Sequence, residues 1–128
     1  MKVGMKLPPF SVERITNSTL AEFAVASGDH NPIHQDRDVA RSAGMDDVFA
    51  HGMLSMAYVA SLLTNWTRQE NITSLNVRFL AITPLNAKPT CTGTVTALSD
   101  GVATVELLVT LEDGTKTISG TALVRVED

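Results

Sequence analysis

GMLSMAYVASLLTNWTRQ, residues 52–69, is the stretch on which the fold turns. It is apolar on nearly every side, as a helix is when other elements surround it. The charge-free run around it, residues 48–67, raises the question of a membrane span. Ser55, Ser61, Thr64, Asn65 and Thr67 interrupt that run, whereas a span needs about 20 mainly apolar residues. The stretch therefore reads as the buried central helix of a soluble protein.

Downstream of this helix the hydrophobic period changes to two. Strands are predicted over 72–82, 89–98, 102–111 and 116–126. The third is the cleanest, with Ala103, Val105, Leu107, Val109 and Leu111 on one face and Thr104, Glu106 and Thr110 mostly on the other. SDG at 99–101 and EDGT at 112–115 read as hairpin turns, Asp-Gly supplying the positive-φ positions. Upstream, PPFSVERIT (8–16) alternates enough for a short edge strand. NSTLAEFAVASG (17–28) is a helix opened by Asn17, Ser18 and Thr19 and stopped by Gly28. DRDVARSAG (36–44) is a second short helix with Asp36 as N-cap and Gly44 as its stop. Helices first and an antiparallel meander afterwards make an α+β chain. One curved antiparallel sheet wrapped around a long central helix satisfies every segment.

The 128 residues amount to one domain, 1–128. With 44% hydrophobic and 19% charged residues, the composition supports a packed core rather than disorder. A net charge of −4 argues against a nucleic-acid surface. Cys91 is the single cysteine, so neither an internal disulfide nor a cysteine-based zinc site can form, which points to the cytoplasm. No signal-peptide pattern opens the sequence.

Between the first two helices lies SGDHNPIH, residues 27–34, the densest cluster of reactive side chains in the chain. His30 and His34 have the four-residue spacing of two metal ligands on one helix face. Pro32 stands between them, disfavours helix and pushes Asn31 into an extended conformation. A shared metal is thus not expected. The alternative is an acid–base pair: Asp29 and His34 presented from a turn set by Gly28 and Pro32, with unperturbed pKa values of about 3.9 and about 6.5. Such a pair can hold one water, take its proton and return a proton elsewhere. Asx-turn and capping roles account for the same Asp and Asn residues in a Gly/Pro loop, and spacing alone favours that turn-building reading over the acid–base pair.

SGDHNPIH resembles the hydratase-2 motif of the MaoC-like family, read as small-Gly-Asp-any-Asn-Pro-aliphatic-His, with every fixed position filled. AHGM (50–53), at the start of the central helix, is a second match. NVRF (76–79) is similar to the strand after that helix in dehydratase subunits of the group. The resemblance implies the hotdog fold, a curved antiparallel sheet around a long helix. It implies Asp29 and His34 as the catalytic pair, Asn31 in a supporting polar role and the Gly52 backbone N–H as oxyanion donor. Asn31, His51 and Met53 become the substrate-contacting positions, although a structural role is the better reading of His51 from its place before the helix. The implied reaction interconverts a trans-2-enoyl thioester and its (3R)-hydroxyacyl thioester, with no metal and no cofactor. The implied partner is an acyl-CoA or acyl-carrier-protein substrate, the carrier being open. Hotdog dimers are implied too: a homodimer, or a heterodimer with a second hotdog subunit. A non-catalytic hotdog subunit and a thioesterase are rival readings that the intact motif disfavours.

Gly52 also has a physical argument of its own. A helix N-terminus leaves N–H groups unpaired and carries partial positive charge. Hydration of an enoyl thioester builds negative charge on the thioester oxygen. A backbone donor there in a dry site contributes about 3–4 kcal/mol to the transition state. Cys91, among threonines in a strand, reads as a structural thiol. Tyr58 and Trp66 read as core. Arg68, Arg78 and Lys88 fit either coenzyme A phosphates or solvated surface.

Overall fold

Thr16 starts the first helix. Its Oγ1 accepts from the Thr19 N–H, and Thr19 Oγ1 accepts from the Thr16 N–H, a reciprocal capping box. Asn17, Ser18 and Thr19 therefore form the first turn of α1 (Asn17–Ser27) rather than its cap. Gly28 ends the helix at φ +77°, where a side chain would be strained. In α2 (Arg37–Ser42) the Asp36 carboxylate accepts from the Asp38 and Val39 N–H groups, as expected of an N-cap.

The computed structural model describes residues 1–126. The remaining elements are β1 (Phe10–Ser11), α3 (Gly52–Thr64), β2 (Ile72–Phe79), β3 (Thr90–Ser99), β4 (Val102–Thr110) and β5 (Lys116–Arg125). They form one antiparallel sheet in the order β1-β3-β4-β5-β2, against which α3 packs.

Two expectations need correction. Only β3, β4 and β5 form a meander, since β2 pairs with β5 at the far edge from β3. A hairpin from β2 to β3 would need a loop of about 2–5 residues, and 80–89, carrying Pro84 and Pro89, instead crosses to the other edge. The central helix also stops at Thr64, short of 69. Trp66 and Thr67 both donate to the Leu63 carbonyl, which tightens the chain out of the helix where Thr64, Asn65 and Thr67 are weak helix formers.

The core has two parts. Val59, Leu62 and Leu63 of α3 meet Val95, Val105, Val109, Ile118 and Val124 of the sheet. Leu20 and Ala24 face inward from α1, and Leu20 joins Ile15, Ala40, Val48 and Leu54 in a second cluster. α3 is not enclosed all round. Met53 is 57% exposed and Ala57 is exposed, next to a rim where Phe79, Leu80 and Ile82 stand about half out of the protein. Asp100 (φ +52°) and Gly101 (φ +75°) make the β3–β4 turn. In the β4–β5 turn Gly114 alone has positive φ.

Candidate active site

The 27–34 loop leaves α1 at Gly28 and closes as a 3₁₀ turn over Pro32–His34. Asn31 caps that turn: its Oδ1 accepts from the Ile33 N–H at 3.2 Å. Asp29 divides its carboxylate. Oδ1 accepts from the Asn31 N–H at 3.2 Å, an Asx turn, while Oδ2 lies 4.0 Å from His34 Nε2. The turn-building reading and the acid–base geometry thus hold together, one oxygen for each.

His34 is buried, its side chain 8% exposed against 50% for Asp29. Its Nδ1 lies 2.8 Å from the Phe49 carbonyl oxygen. A carbonyl can only accept, so Nδ1 carries hydrogen and Nε2 is the nitrogen left to exchange a proton. At 4.0 Å, Nε2 and Oδ2 are too far apart for a direct hydrogen bond, but both can reach one water.

His51 is buried and stacks on His34, centroids 3.9 Å apart at 27°; its Nε2 lies 3.1 Å from the Asp29 carbonyl oxygen. Asp29, His34 and His51 thereby offer ligand atoms within 4.8 Å of one another. A metal must lie in the plane of each imidazole that binds it. Rings stacked this way point their lone pairs along nearly parallel planes that do not converge on one cation. His30 is exposed and takes no part in this cluster.

Gly52 opens α3, and no side chain caps that helix end. Among the described residues, its N–H makes no hydrogen bond. It borders a cavity of about 300 Å³, lined also by Phe49, Ser55, Phe79, Ile82 and Thr117. The wall is fixed by the Ala50 N–H donating to the Thr83 carbonyl at 2.9 Å and by a buried Ser55–Thr83 hydroxyl pair at 3.3 Å. A Cβ on Gly52 would sit 3.4 Å from the Phe79 ring, an ordinary van der Waals contact, so the position also has room for a larger residue. Phe49 joins the two halves of the site: its carbonyl anchors His34 and its side of the chain lines the cavity. A larger groove, bordered by Arg78, Glu106 and Thr121, shares no residue with any of this.

A family model described as a MaoC like domain matches residues 3–117. The chain belongs to the MaoC-like domain family. It is 33% identical, over 70% of its own length and 70% of the relative's, to the 3-oxo-4,17-pregnadiene-20-carboxyl-CoA hydratase beta subunit of Mycobacterium tuberculosis. It is 44% identical over 52 residues to 3-hydroxyacyl-thioester dehydratase X of the same organism, of whose length it spans 19%. Among solved structures it superposes on the (R)-hydratase from A. caviae involved in PHA biosynthesis with a TM-score of 0.87 and 25% identity, covering 99% of this chain and 98% of that one. The ChsH1-ChsH2 complex from Mycobacterium tuberculosis gives 0.89 at 25% identity, covering 99% of each chain. The five-stranded sheet around α3 is the hotdog fold.

Within this MaoC-like domain the structure brings Asp29, His34 and His51 together and sets Gly52 at the adjoining cavity. Asn31 is exposed and committed to the loop, and Met53 faces outward from the second position of α3. The Phe49 carbonyl escaped the sequence reading because a backbone group carries no residue signature. Cys91 is fully buried, and burial pushes its thiol up to about 12, consistent with a structural role.

Proposed function

We propose that this chain is a hydro-lyase that interconverts a trans-2-enoyl thioester and its (3R)-hydroxyacyl thioester, with Asp29 and His34 as the acid–base pair. The observation that carries this is the 4.0 Å separation of Asp29 Oδ2 and His34 Nε2, each the one free polar atom of its side chain. Water held between them adds its oxygen to C3. Asp29 Oδ2 takes the water proton as the C–O bond forms. The π electrons shift to C2 and the thioester oxygen, where the Gly52 N–H meets the charge. Asp29 passes the water proton to the bare Nε2 of His34, which delivers it to C2, so both groups return to their starting state. Dehydration is the same path reversed. The carrier is coenzyme A or an acyl carrier protein, and no metal or redox cofactor enters the step.

The working form is a dimer in the cytoplasm. β2 is an unpaired edge, and the half-exposed Phe79, Leu80 and Ile82 adjoin it, a combination that a second hotdog chain would cover. A second copy is the simplest occupant. The hydratase relative named as a beta subunit supports a heteromer as the other form.

The test is turnover of a panel of enoyl thioesters on both carriers by wild type, Asp29→Asn and His34→Ala. A positioned acid or base contributes about 10²- to 10⁴-fold, so each variant should lose that much, mainly in kcat. Asparagine keeps an Oδ1 for the Asx turn, so the fold should persist. Folded variants with near-wild-type kcat would remove the pair from the mechanism.

A further inference from the structure

His51 touches both reacting groups yet has no step in the reaction. It is 1% exposed, so it presents no surface to a substrate. Its Nε2 donates to the Asp29 carbonyl at 3.1 Å, its face backs the His34 ring at 3.9 Å, and Phe23 of α1 closes its edge at 5.0 Å. The next residue in the chain is Gly52. One side chain therefore meets the backbone of the acid, the ring of the histidine and the start of the oxyanion helix.

Its protonation follows from these contacts. The Asp29 carbonyl can only accept, so Nε2 carries the hydrogen and Nδ1 of the neutral ring is a bare lone pair. Nδ1 is buried and, among the described residues, has no hydrogen-bond partner. Asp29 and His34 are titratable groups beside His51, and uncharged Phe23 packs on it from α1.

We propose that His51 is a positioning residue: an imidazole in the Nε2–H tautomer that pins the Asp29 backbone and braces the face of His34. In this way Oδ2 and Nε2 keep their separation around one water. The proposal rests on the acid–base reading of the pair. It replaces substrate contact, the role that the resemblance implies for this position, with action through Asp29 and His34.

The test uses three variants. His51→Phe keeps a ring and loses the donor, His51→Gln keeps a donor and loses the ring, and His51→Ala loses both. Misplacement of reacting groups by about 1 Å costs about 10²-fold, so His51→Ala should lose about 10²-fold in kcat. KM should stay within about twofold, and the other two variants should lie between, near tenfold, each a partial rescue. In the neutral ring, long-range ¹H–¹⁵N spectra should show the His51 hydrogen on Nε2 rather than Nδ1. In His51→Phe the Asp29 carbonyl and His30 amide resonances should move while the sheet resonances stay. A folded Ala variant with wild-type kcat, or a neutral His51 with its hydrogen on Nδ1, overturns the proposal. Should Ala not fold, Phe and Gln carry the kinetic test. If wild type hydrates no enoyl thioester, the functional reading fails, and the tautomer and the Asp29 shifts still decide the positioning role.

Discussion

The two ends of α3 are built to opposite rules. At its start, Gly52 offers an unpaired N–H with no side-chain cap, Met53 is exposed, and the turn faces a cavity. A missing N-cap costs about 0.5–2 kcal/mol. Two turns later, Val59, Leu62 and Leu63 are 0–1% exposed against the sheet. Full burial of each such side chain contributes about 1.5–3 kcal/mol, which more than offsets the open end. One helix can thus leave its N-terminus free for a ligand because its second half holds it in place. Function and stability should then separate along its length.

The largest expected effect lies in the second half. Leu63→Ala should destabilise the protein by about 2–5 kcal/mol, through lost burial and the cavity left behind. Denaturant unfolding measures this, and turnover per folded molecule should hardly change. A comparable loss of kcat in the folded fraction would break the separation.

Next comes the open end. Gly52→Pro removes the N–H at the first helical position, where proline is tolerated, and His51 at φ −58°, ψ 137° already has a backbone suited to precede it. It should lose about 10²- to 10³-fold in kcat, as deletion of one oxyanion donor does, with little change in Tm. A variant that keeps its kcat would move the oxyanion contact elsewhere.

A smaller effect tests the core by pH. Burial raises the Cys91 thiol from 9.0 to about 12, so the neutral thiol is the folded form. Its contribution is fully present below the unfolded value and is lost as pH rises from about 9 toward 12, because the unfolded chain ionises first. Tyr58, also raised by burial, adds to the same trend. Urea midpoints across this range should fall more steeply in wild type than in Cys91→Ala, and equal slopes would clear Cys91 of the effect. The smallest effect is none at all: chelator treatment should leave turnover unchanged, because the stacked rings do not converge on one cation. Loss of activity restored by zinc would overturn that reading.

Local chemistry made much of this molecule legible. The change of period after the central helix, the Asp-Gly turns, the Gly28 stop and the Asp36 cap each depend on a few adjacent residues, and each stands where the sequence placed it. The capping box at Thr16 is also a local feature, but Asn17, Ser18 and Thr19 are all competent caps and hide it in the sequence. The end of α3 was missed because hydrophobicity continues through Trp66 after the helical hydrogen bonds have closed.

In the candidate site, the sequence by itself determined which polar groups are offered: a carboxylate and an imidazole in a Gly/Pro loop, and a glycine at a helix start. Only the tertiary structure decided how they act. Neighbours in sequence cannot show that Phe49, 15 residues from His34, lends its carbonyl to the ring, or that His51, 22 residues from Asp29, holds its backbone. Nor could they show that β2 lies beside β5 and leaves an apolar edge exposed. Those contacts depend on how α1, the loop and α3 pack, and packing responds to the whole chain at once, whereas turns and caps respond to a handful of residues.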